Sequence, residues 1–310
     1  MKTALTALTA LLLLCLLGIH QTSQETQIRK ALQKGLSYTP PSSTIDFPMQ
    51  HTPVTYGFSG GRLGDNLLSY LHARWIAHRD DVPLIYRPFP GSDAFALSQD
   101  PPLSLPALEI PYFPEQSQKN CHPLFTVPWD DPAFLAEVRA ILQPTTAHTL
   151  LSLPSDKITL CVHVRRGGTF DAPSVRLEQP LKFPPDSFYI EQIARVAAIF
   201  RGLPLYVFLM TDDLKPTELL TRYQKAIPLE GIEWHCRTQP PENDLDDFFS
   251  IPLFDCLILC DSNFSLVASK LGEYALTLAP TRYIKKKESV RITDTAITYK
   301  STPRILALMN

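Results

Sequence analysis

The sequence has no large excess of positive or negative charge, which argues against general binding of nucleic acids. Its 310 residues contain 29 Lys and Arg against 31 Asp and Glu, a formal net charge of −2. Proteins that bind nucleic acids usually present a broad basic surface, so we expect no nucleic-acid partner. Glycine is scarce, at 12 residues against 29 prolines, and the prolines follow no period, which excludes a fibrous repeat. The hydrophobic fraction of 45% predicts a folded protein rather than a mainly disordered one.

The six cysteines form neither a disulfide framework nor a zinc site. Cys15 lies in an apolar N-terminal segment, and the other five contain no C-x-x-C pair. They are Cys121, Cys161, Cys236, Cys256 and Cys260. We expect buried free thiols. A single bridge from Cys121 or Cys236 is the alternative if the protein faces an oxidising compartment.

Long apolar runs are also absent except at the N-terminus. Lys2 precedes an uncharged run over residues 3–23, which is typical of a secretory signal. The run is short for a membrane span of roughly 20 apolar residues, and no small-x-small cleavage site follows it. Residues 1–24 are therefore interpreted as a signal peptide or an uncleaved signal anchor, so the protein is either exported after cleavage or anchored in a membrane. A cytosolic protein with an apolar start is the third alternative.

The rest of the chain is divided into a stem and two domains. Residues 25–51 are polar and dotted with proline, and are interpreted as a stem or linker. Residues 52–150 begin with strand, glycine loop, helix and strand, which is one βαβ unit. Residues 151–310 alternate regularly between strand and helix patterns from about 158 to 274. This alternation indicates parallel sheets with helices on both faces, so we predict an α/β fold of two doubly wound domains that face a cleft.

Polar clusters follow the predicted strands, where ligands of open parallel sheets bind. The first is the glycine loop at residues 60–66, whose backbone N–H groups precede a helix and suit a phosphate or a sugar hydroxyl. Arg62 adds a positive charge to this loop. A tight structural turn explains the glycines about as well.

The second cluster ends the apolar strand predicted over residues 158–164. Alternation sends His163 and Arg165 to one face and Arg166 to the other. Two adjacent guanidiniums at the end of a buried strand are costly unless an anion or a carboxylate meets them. A diphosphate accepts bidentate hydrogen bonds from such groups. The alternative is an internal salt bridge to Asp171.

Two further clusters follow later strands. Asp212 and Asp213 come after the strand predicted over residues 205–210, where they suit a metal ion, a proton or the cap of the next helix. Residues 261–265, Asp-Ser-Asn-Phe-Ser, place hydroxyls and backbone amides at the start of another predicted helix, which is a site for anions.

In this order the motifs resemble the fucosyltransferase superfamily, which includes α-1,2 and α-1,6 fucosyltransferases and protein O-fucosyltransferases. The resemblance covers roughly residues 54–85 and 157–274. It rests on Gly-Arg-Leu-Gly at 61–64, His-x-Arg-Arg-Gly at 163–167, Asp-Asp at 212–213 and Ser-Asn-Phe-Ser at 262–265.

The resemblance implies a GT-B fold, with two Rossmann-like domains, and an inverting transfer of fucose from GDP-fucose to a glycan or protein hydroxyl without a metal or other cofactor. It implies that Arg165 and Arg166 face the diphosphate and that Arg62 approaches the phosphate or the fucose. Asp65, at a position where asparagine is common in the family, is interpreted as a base for the acceptor. The remaining residues expected to bind the nucleotide sugar are Gly61, Gly64, Asn66, His163, Asp213, Asp247, Ser262, Phe264 and Ser265.

Within this resemblance, Asp247 is similar to the acid that reads guanine in the α-1,6 group. Gly168 stands where the family usually has an acid, and Asp171 is the nearest replacement. One alternative is a glycosyltransferase of the same fold that uses another nucleotide sugar. Another is a non-catalytic relative that binds carbohydrate or protein. The predicted partners are a GDP-sugar donor, a glycan or protein acceptor and, if the N-terminal segment is uncleaved, a membrane.

Overall fold

The computed structural model describes residues 23–38, 52–58, 60–97, 106–110, 127, 129–238, 244–287 and 289–310. The strands are β1 (Ser37–Tyr38), β2 (Val54–Tyr56), β3 (Leu108–Ile110), β4 (Ile158–Val164), β5 (Leu205–Thr211), β6 (Ile232–Cys236), β7 (Cys256–Ile258), β8 (Leu276–Lys286) and β9 (Ser289–Lys300). The helices are α1 (residues 23–33), α2 (Leu63–Asp80), α3 (Pro132–Ile141), α4 (Pro173–Glu178), α5 (Asp186–Ile199), α6 (Pro216–Ala226), α7 (Asp244–Ser250), α8 (Asn263–Ser269) and α9 (Pro303–Met309).

A seven-stranded sheet lies at the centre of the fold. Its strand order is β1-β9-β8-β7-β4-β5-β6, in which β8, β7, β4, β5 and β6 are mutually parallel. All seven residues of β4 are buried, as a continuous apolar run predicts for a parallel strand covered on both faces. The predicted α/β class is confirmed.

One edge of this sheet was not predicted. The antiparallel hairpin of β8 and β9 follows β7 in the sheet order, and β1 extends it at the other side of β9. Along β8 the side chains change from buried at Leu276 to exposed at Lys286. Because the outer half of the hairpin has no buried face, its sequence lacks the apolar alternation that marks a strand.

The smaller part of the molecule contains the predicted βαβ unit but not a second doubly wound sheet in its described residues. Strand β2 pairs in parallel with β3, and a single bridge joins Val54 to Leu84. One buried apolar cluster runs from Val54 and Tyr56 of this part to Phe208 and Leu257 of the large sheet. The two parts therefore share a core, and the predicted arrangement of two separate domains is not confirmed.

Helix α1 and strand β1 correct the stem prediction for residues 25–38. Ile28 and Leu32, four residues apart on one face of α1, are buried in the core on the other side of the large sheet. Arg29 donates from Nη1 to the carbonyl oxygens of Ile199 at 3.1 Å and Arg201 at 2.7 Å, where α5 ends. This segment packs on the fold because it carries an apolar helix face.

Several N-terminal expectations lie outside the described residues. These are the signal peptide or anchor, apart from residues 23 and 24, and most of the stem beyond residue 38. Within the described ranges, no helix combines the length and apolarity that crossing a bilayer requires. Cys121 is also outside these ranges, whereas Cys161, Cys236, Cys256 and Cys260 are free thiols, as expected.

Helices α2 and α8 begin against each other, and this contact joins the smaller part to the large sheet. A Cβ atom on Gly64 would lie 2.7 Å from the Cα of Phe264 and 2.8 Å from the carbonyl carbon of Asn263. Asn263 Nδ2 also donates to Asp65 Oδ1 at 2.6 Å. Glycine is therefore required at position 64, because any side chain there would push the two helix starts apart.

We expect Gly64→Ala to lower the free energy of unfolding by about 1–3 kcal/mol, the usual cost of inserting an atom into a closely packed contact. Urea denaturation measures this loss. Gly202→Ala is the control, because it has a left-handed φ of +87° but no neighbour within 4 Å. The control should lose about 1 kcal/mol from backbone strain alone. A Gly64→Ala protein more stable than Gly202→Ala would contradict the required close approach.

Candidate functional site

A cleft of about 1430 Å³ opens at the carboxyl ends of β4, β5 and β7. This is where a parallel sheet presents its ligand sites. Residues of all four predicted clusters line the cleft. Of the residues predicted for the site, those that line it are Gly61, Arg62, Gly64, Asp65, His163, Arg165, Asp247, Ser262 and Phe264. Arg166, Asn66, Asp213 and Ser265 are not among the lining residues.

Arg166 lies outside the cleft, which corrects the expectation that both arginines face one ligand. Its guanidinium donates to Asp186, to the Pro184 carbonyl oxygen at 3.1 Å and to the Tyr223 hydroxyl at 3.1 Å. It also lies 5.8 Å from the centroid of the Tyr189 ring. The cause is the pleat of β4, which sends neighbouring residues to opposite faces of the sheet.

Of the two adjacent arginines, Arg165 is the one that lines the cleft, and it is only 7% exposed. Its guanidinium bonds to Asp212 and, from Nη2, to Asp171 Oδ2 at 2.5 Å. Lys182 Nζ lies 3.3 Å from the other oxygen of Asp171. Burial tends to raise the pKa of Asp171, but Arg165 and Lys182 outweigh it and hold that pKa below its ordinary value. The salt bridge to Asp171, which was the alternative to a bound anion, therefore exists, with Arg165 as the partner.

Asp212 fixes the backbone that follows β4. Its Oδ1 accepts a hydrogen bond from the Arg166 N–H at 2.5 Å, and its Oδ2 accepts one from the Gly167 N–H at 3.0 Å. Gly167 and Gly168 have φ values of +90° and +52°, a region that favours glycine. Glycine at position 168 therefore suits this turn.

Asp213, which was expected to bind the nucleotide, instead shapes the turn before α6. Its Oδ1 accepts the Lys215 N–H at 2.8 Å, and its own N–H donates to Thr211 Oγ1 at 3.1 Å. Of the acidic pair, the cleft receives Asp212. The sequence alone gave no means of choosing between the two.

Asp65 has donors on both carboxylate oxygens, which corrects its expected role as a base. Its Oδ2 accepts the Arg62 N–H at 3.1 Å, and its Oδ1 accepts Asn263 Nδ2. The Arg62 guanidinium carbon lies 4.4 Å from the centroid of Phe170, whose side chain is 71% exposed. Arg62 and Phe170 therefore join the glycine loop to the loop after β4 at the mouth of the cleft.

Asn66 and Ser265 support the site from behind. Asn66 is buried, and its Nδ2 lies 3.5 Å from the Gly61 carbonyl oxygen. Ser265 is fully buried and donates from Oγ to the Ser262 carbonyl oxygen at 3.2 Å. Both stabilise the loops whose other residues reach the cleft.

His163 forms part of the cleft floor. Its ring centroid lies 6.2 Å from that of Phe264, and its Nδ1 lies 3.5 Å from Cys260 Sγ. Burial lowers the pKa of His163 to about 4, although the charge of Asp212 opposes this shift. The imidazole is therefore neutral at neutral pH and presents one donor and one acceptor.

Asp247 lies in α7 and lines the cleft, with 8% of the residue exposed. Burial raises its pKa, whereas the bond from Arg237 Nε to Asp247 Oδ1 at 2.6 Å opposes that shift. Its carboxylate is thus held in place by Arg237 while it remains at the cleft surface.

The cleft also contains residues for which the sequence predicted no role in binding or catalysis. Asp261 belonged to the fourth cluster, and its position directly after a strand was a usable signal. The segment after α4 and the β8–β9 hairpin had no such signal, since only tertiary packing brings them here. Their lining residues include Lys182, Arg282, Tyr283, Ile284 and Thr293.

Among the residues described, no group of three or more His, Cys, Asp or Glu side chains is arranged to hold a metal ion. The cleft carboxylates Asp171 and Asp212 bond instead to Arg165, and Asp247 bonds to Arg237.

No family model and no curated protein matches the chain. A search of solved structures finds POFUT1 in complex with GDP-fucose, with 13% identity, a TM-score of 0.40, and coverage of 75% of this chain and 97% of that one. It also finds the fucosyltransferase NodZ from Bradyrhizobium, with 15% identity, a TM-score of 0.36, and coverage of 74% and 96%. NodZ α-1,6-fucosyltransferase soaked with GDP-fucose has 14% identity, a TM-score of 0.35, and coverage of 82% and 100%.

These structures are fucosyltransferases, the superfamily that the sequence motifs resemble. TM-scores this low carry no argument about activity or substrate.

We expect Arg166→Ala to lower the free energy of unfolding by about 1–3 kcal/mol, because it removes hydrogen bonds from a charged group that is 14% exposed. Chemical denaturation measures the loss. Arg222→Ala is the matched control, since Arg222 contacts the other oxygen of Asp186 at 3.4 Å but is 53% exposed. The control should change stability by less than about 1 kcal/mol. Equal stability of Arg166→Ala and wild type would contradict the structural role.

Proposed function

We propose that the protein is a glycosyltransferase that binds a GDP-sugar in the cleft and transfers fucose to a glycan or protein hydroxyl with inversion. The observation that carries the proposal is the placement of Arg165, a buried guanidinium at the carboxyl end of a central strand and on the cleft surface. Asp212 and Asp171 each accept a hydrogen bond from one terminal nitrogen of this guanidinium. Since a guanidinium has five N–H donors, others remain for the oxygens of a diphosphate.

The order of the motifs around Arg165 supports a sugar diphosphate as the ligand. The glycine loop, the start of α8 and the loop after β4 meet at one cleft, as the fucosyltransferase resemblance requires. The leaving diphosphate of such a transfer gains charge in the transition state, and fixed donors that are already in place stabilise that charge. Arg165 is such a donor, and Arg62 at the cleft mouth is the second cation proposed to approach the phosphates.

Guanine is the proposed base because of Asp247. A carboxylate accepts two hydrogen bonds from the adjacent N1–H and N2–H groups of guanine, which neither uracil nor adenine presents. Arg237 fixes the Asp247 carboxylate, and the neutral His163 lies in the same cleft. The alternative is a glycosyltransferase of the same fold that uses another nucleotide sugar, and the relative affinities for nucleotides distinguish the two.

We expect GDP to bind more tightly than UDP, ADP or CDP, as measured by isothermal titration calorimetry. Arg165→Ala should weaken GDP binding by about 10–100-fold, since hydrogen bonds to a charged group contribute about 1.5–3 kcal/mol. Arg201→Ala, an exposed arginine that does not line the cleft, is the control. Equal or tighter binding of UDP would remove the guanine assignment. Absence of binding by every nucleotide would remove the proposed function.

We also propose that the donor is held without a metal ion, because Arg62 and Arg165 line the cleft and supply positive charge for a diphosphate. Release of GDP from GDP-fucose should therefore continue in EDTA at an unchanged rate. Loss of turnover in EDTA that manganese restores would show that the cleft acids, Asp212 among them, bind a metal.

A further inference from the structure

The proposed transfer needs a proton acceptor, because the acceptor hydroxyl loses its proton as its oxygen bonds to the sugar. A carboxylate that serves as this base must reach the cleft and have an oxygen free of strong donors. Most cleft carboxylates fail this condition. Asp65, Asp171, Asp212 and Asp247 each accept a hydrogen bond from a side chain, and in Asp171, Asp212 and Asp247 that donor is an arginine.

Asp261 meets the condition. It follows β7 and lines the cleft, and its backbone N–H donates to the Leu181 carbonyl oxygen at 2.8 Å. Within the described part of the chain, no side chain or backbone group donates a hydrogen bond to the Asp261 carboxylate. Asp244 and Glu178 also line the cleft, but both are exposed, so their carboxylates are solvated by water.

The environment of Asp261 suits proton transfer near neutral pH. Burial raises the pKa of Asp261 to about 6, and the positive charge of Lys182 opposes the shift. A base is most effective when its pKa lies near the working pH. In Asp171 the paired cations outweigh burial and lower the pKa, which makes that carboxylate a poorer base.

Asp261 also lies beside the charges that are proposed to hold the diphosphate. Strand β7, which precedes it, pairs with β4, which precedes Arg165. Lys182 interacts with Asp261 and bonds to Asp171, and Asp171 bonds to Arg165. A sugar attached to a diphosphate at Arg165 would therefore lie within the same group of side chains as the Asp261 carboxylate.

We propose that Asp261 is the general base of the transfer, an inference that rests on the function proposed above. The carboxylate takes the proton of the acceptor hydroxyl while the hydroxyl oxygen bonds to the anomeric carbon of fucose. The bond between that carbon and the β-phosphate oxygen breaks, and GDP leaves with the electron pair. With water as the acceptor, the same step yields free fucose and GDP, and the proton again goes to Asp261.

Hydrolysis of GDP-fucose tests this role without knowledge of the natural acceptor. GDP release is measured from pH 5 to 8 for the wild type and for Asp261→Asn, which has the same shape but is a far weaker base. We expect kcat of the wild type to rise through about pH 6 and then level. Asp261→Asn should lower the plateau by about 10²–10⁴-fold and lose that rise. KM for GDP-fucose and Kd for GDP should stay within about threefold of the wild-type values. Asp156→Asn, an exposed acid outside the cleft, is the matched control.

Asp247 is a second cleft carboxyl whose pKa burial raises, so it is the loss of the rise in Asp261→Asn that assigns the rise to Asp261. The following groups do not account for a rise near pH 6. Asp171 lies beyond Lys182 on the loop after β4, and its pKa is lowered. Cys260, the preceding residue, has its pKa raised to about 12 by burial. His163 across the cleft floor has a pKa of about 4, again because of burial. The described residues that line the same cleft include four cations, Arg62, Arg165, Lys182 and Arg282.

A second readout follows the ionisation of Asp261 without any nucleotide. Because the folded-state pKa is raised, the stability that the neutral carboxyl contributes is present below about pH 4 and is lost as pH rises through about 6. The melting temperature of Asp261→Asn relative to wild type should therefore increase between pH 4 and 7. A purely structural acid would show this shift but would leave kcat and its pH dependence unchanged.

The outcomes separate this inference from the proposed function. If neither protein binds GDP, the proposed function fails, and the base assignment fails with it. If both bind GDP and hydrolyse GDP-fucose equally, only the assignment of Asp261 is overturned. Loss of GDP binding in Asp261→Asn also overturns it, because the residue would then serve binding. A wild type that binds GDP-fucose but releases no GDP at any pH overturns it as well, since a base placed for a hydroxyl also activates water.

Discussion

A guanidinium buried at the end of a central strand must be neutralised, and much of the cleft is arranged around that requirement at Arg165. Asp212 and Asp171 supply the opposite charge from two different loops. The Asp212 carboxylate also accepts hydrogen bonds from the backbone N–H groups of Arg166 and Gly167. The same ion pair therefore fixes the cation and the loop that carries it. Removing one partner would leave a buried charge, which is much more costly than the pair itself is stabilising.

The second constraint is the contact between the starts of α2 and α8. Gly64 allows the two helices to meet without a side chain between them, and the bond from Asn263 to Asp65 closes the contact. The glycine loop of the smaller part thus lies against the carboxyl ends of the large sheet, above a shared apolar core. This geometry explains why Asp65, which has the chemistry of a base, serves a structural contact instead.

More carboxylates than lysine and arginine side chains line the cleft, so not every carboxylate is paired with a cation. Whether a carboxylate is paired affects its chemistry. Those bonded to Arg165 or Arg237 are held in place by the arginine. Asp261 is partly buried, and no arginine in the described residues bonds to its carboxylate. Burial therefore raises its pKa to about 6. The six aspartates that line the cleft can therefore differ in function, because their burial and their nearest cations differ.

Local patterns in the sequence determined the alternation of strands and helices from residue 158 to about 270, although not helix α4, and β4 has the predicted bounds. They also determined that Arg165 and Arg166 point to opposite faces, because alternation along a strand is a local property. Only the tertiary structure decided which face was the cleft, that Arg166 bonds to Asp186, and that the β8–β9 hairpin forms a wall. It also decided that Asp65 accepts hydrogen bonds from two donors, whereas no group in the described residues donates to the Asp261 carboxylate. These outcomes depend on residues up to 198 positions apart, such as Asp65 and Asn263, whose approach no local pattern encodes.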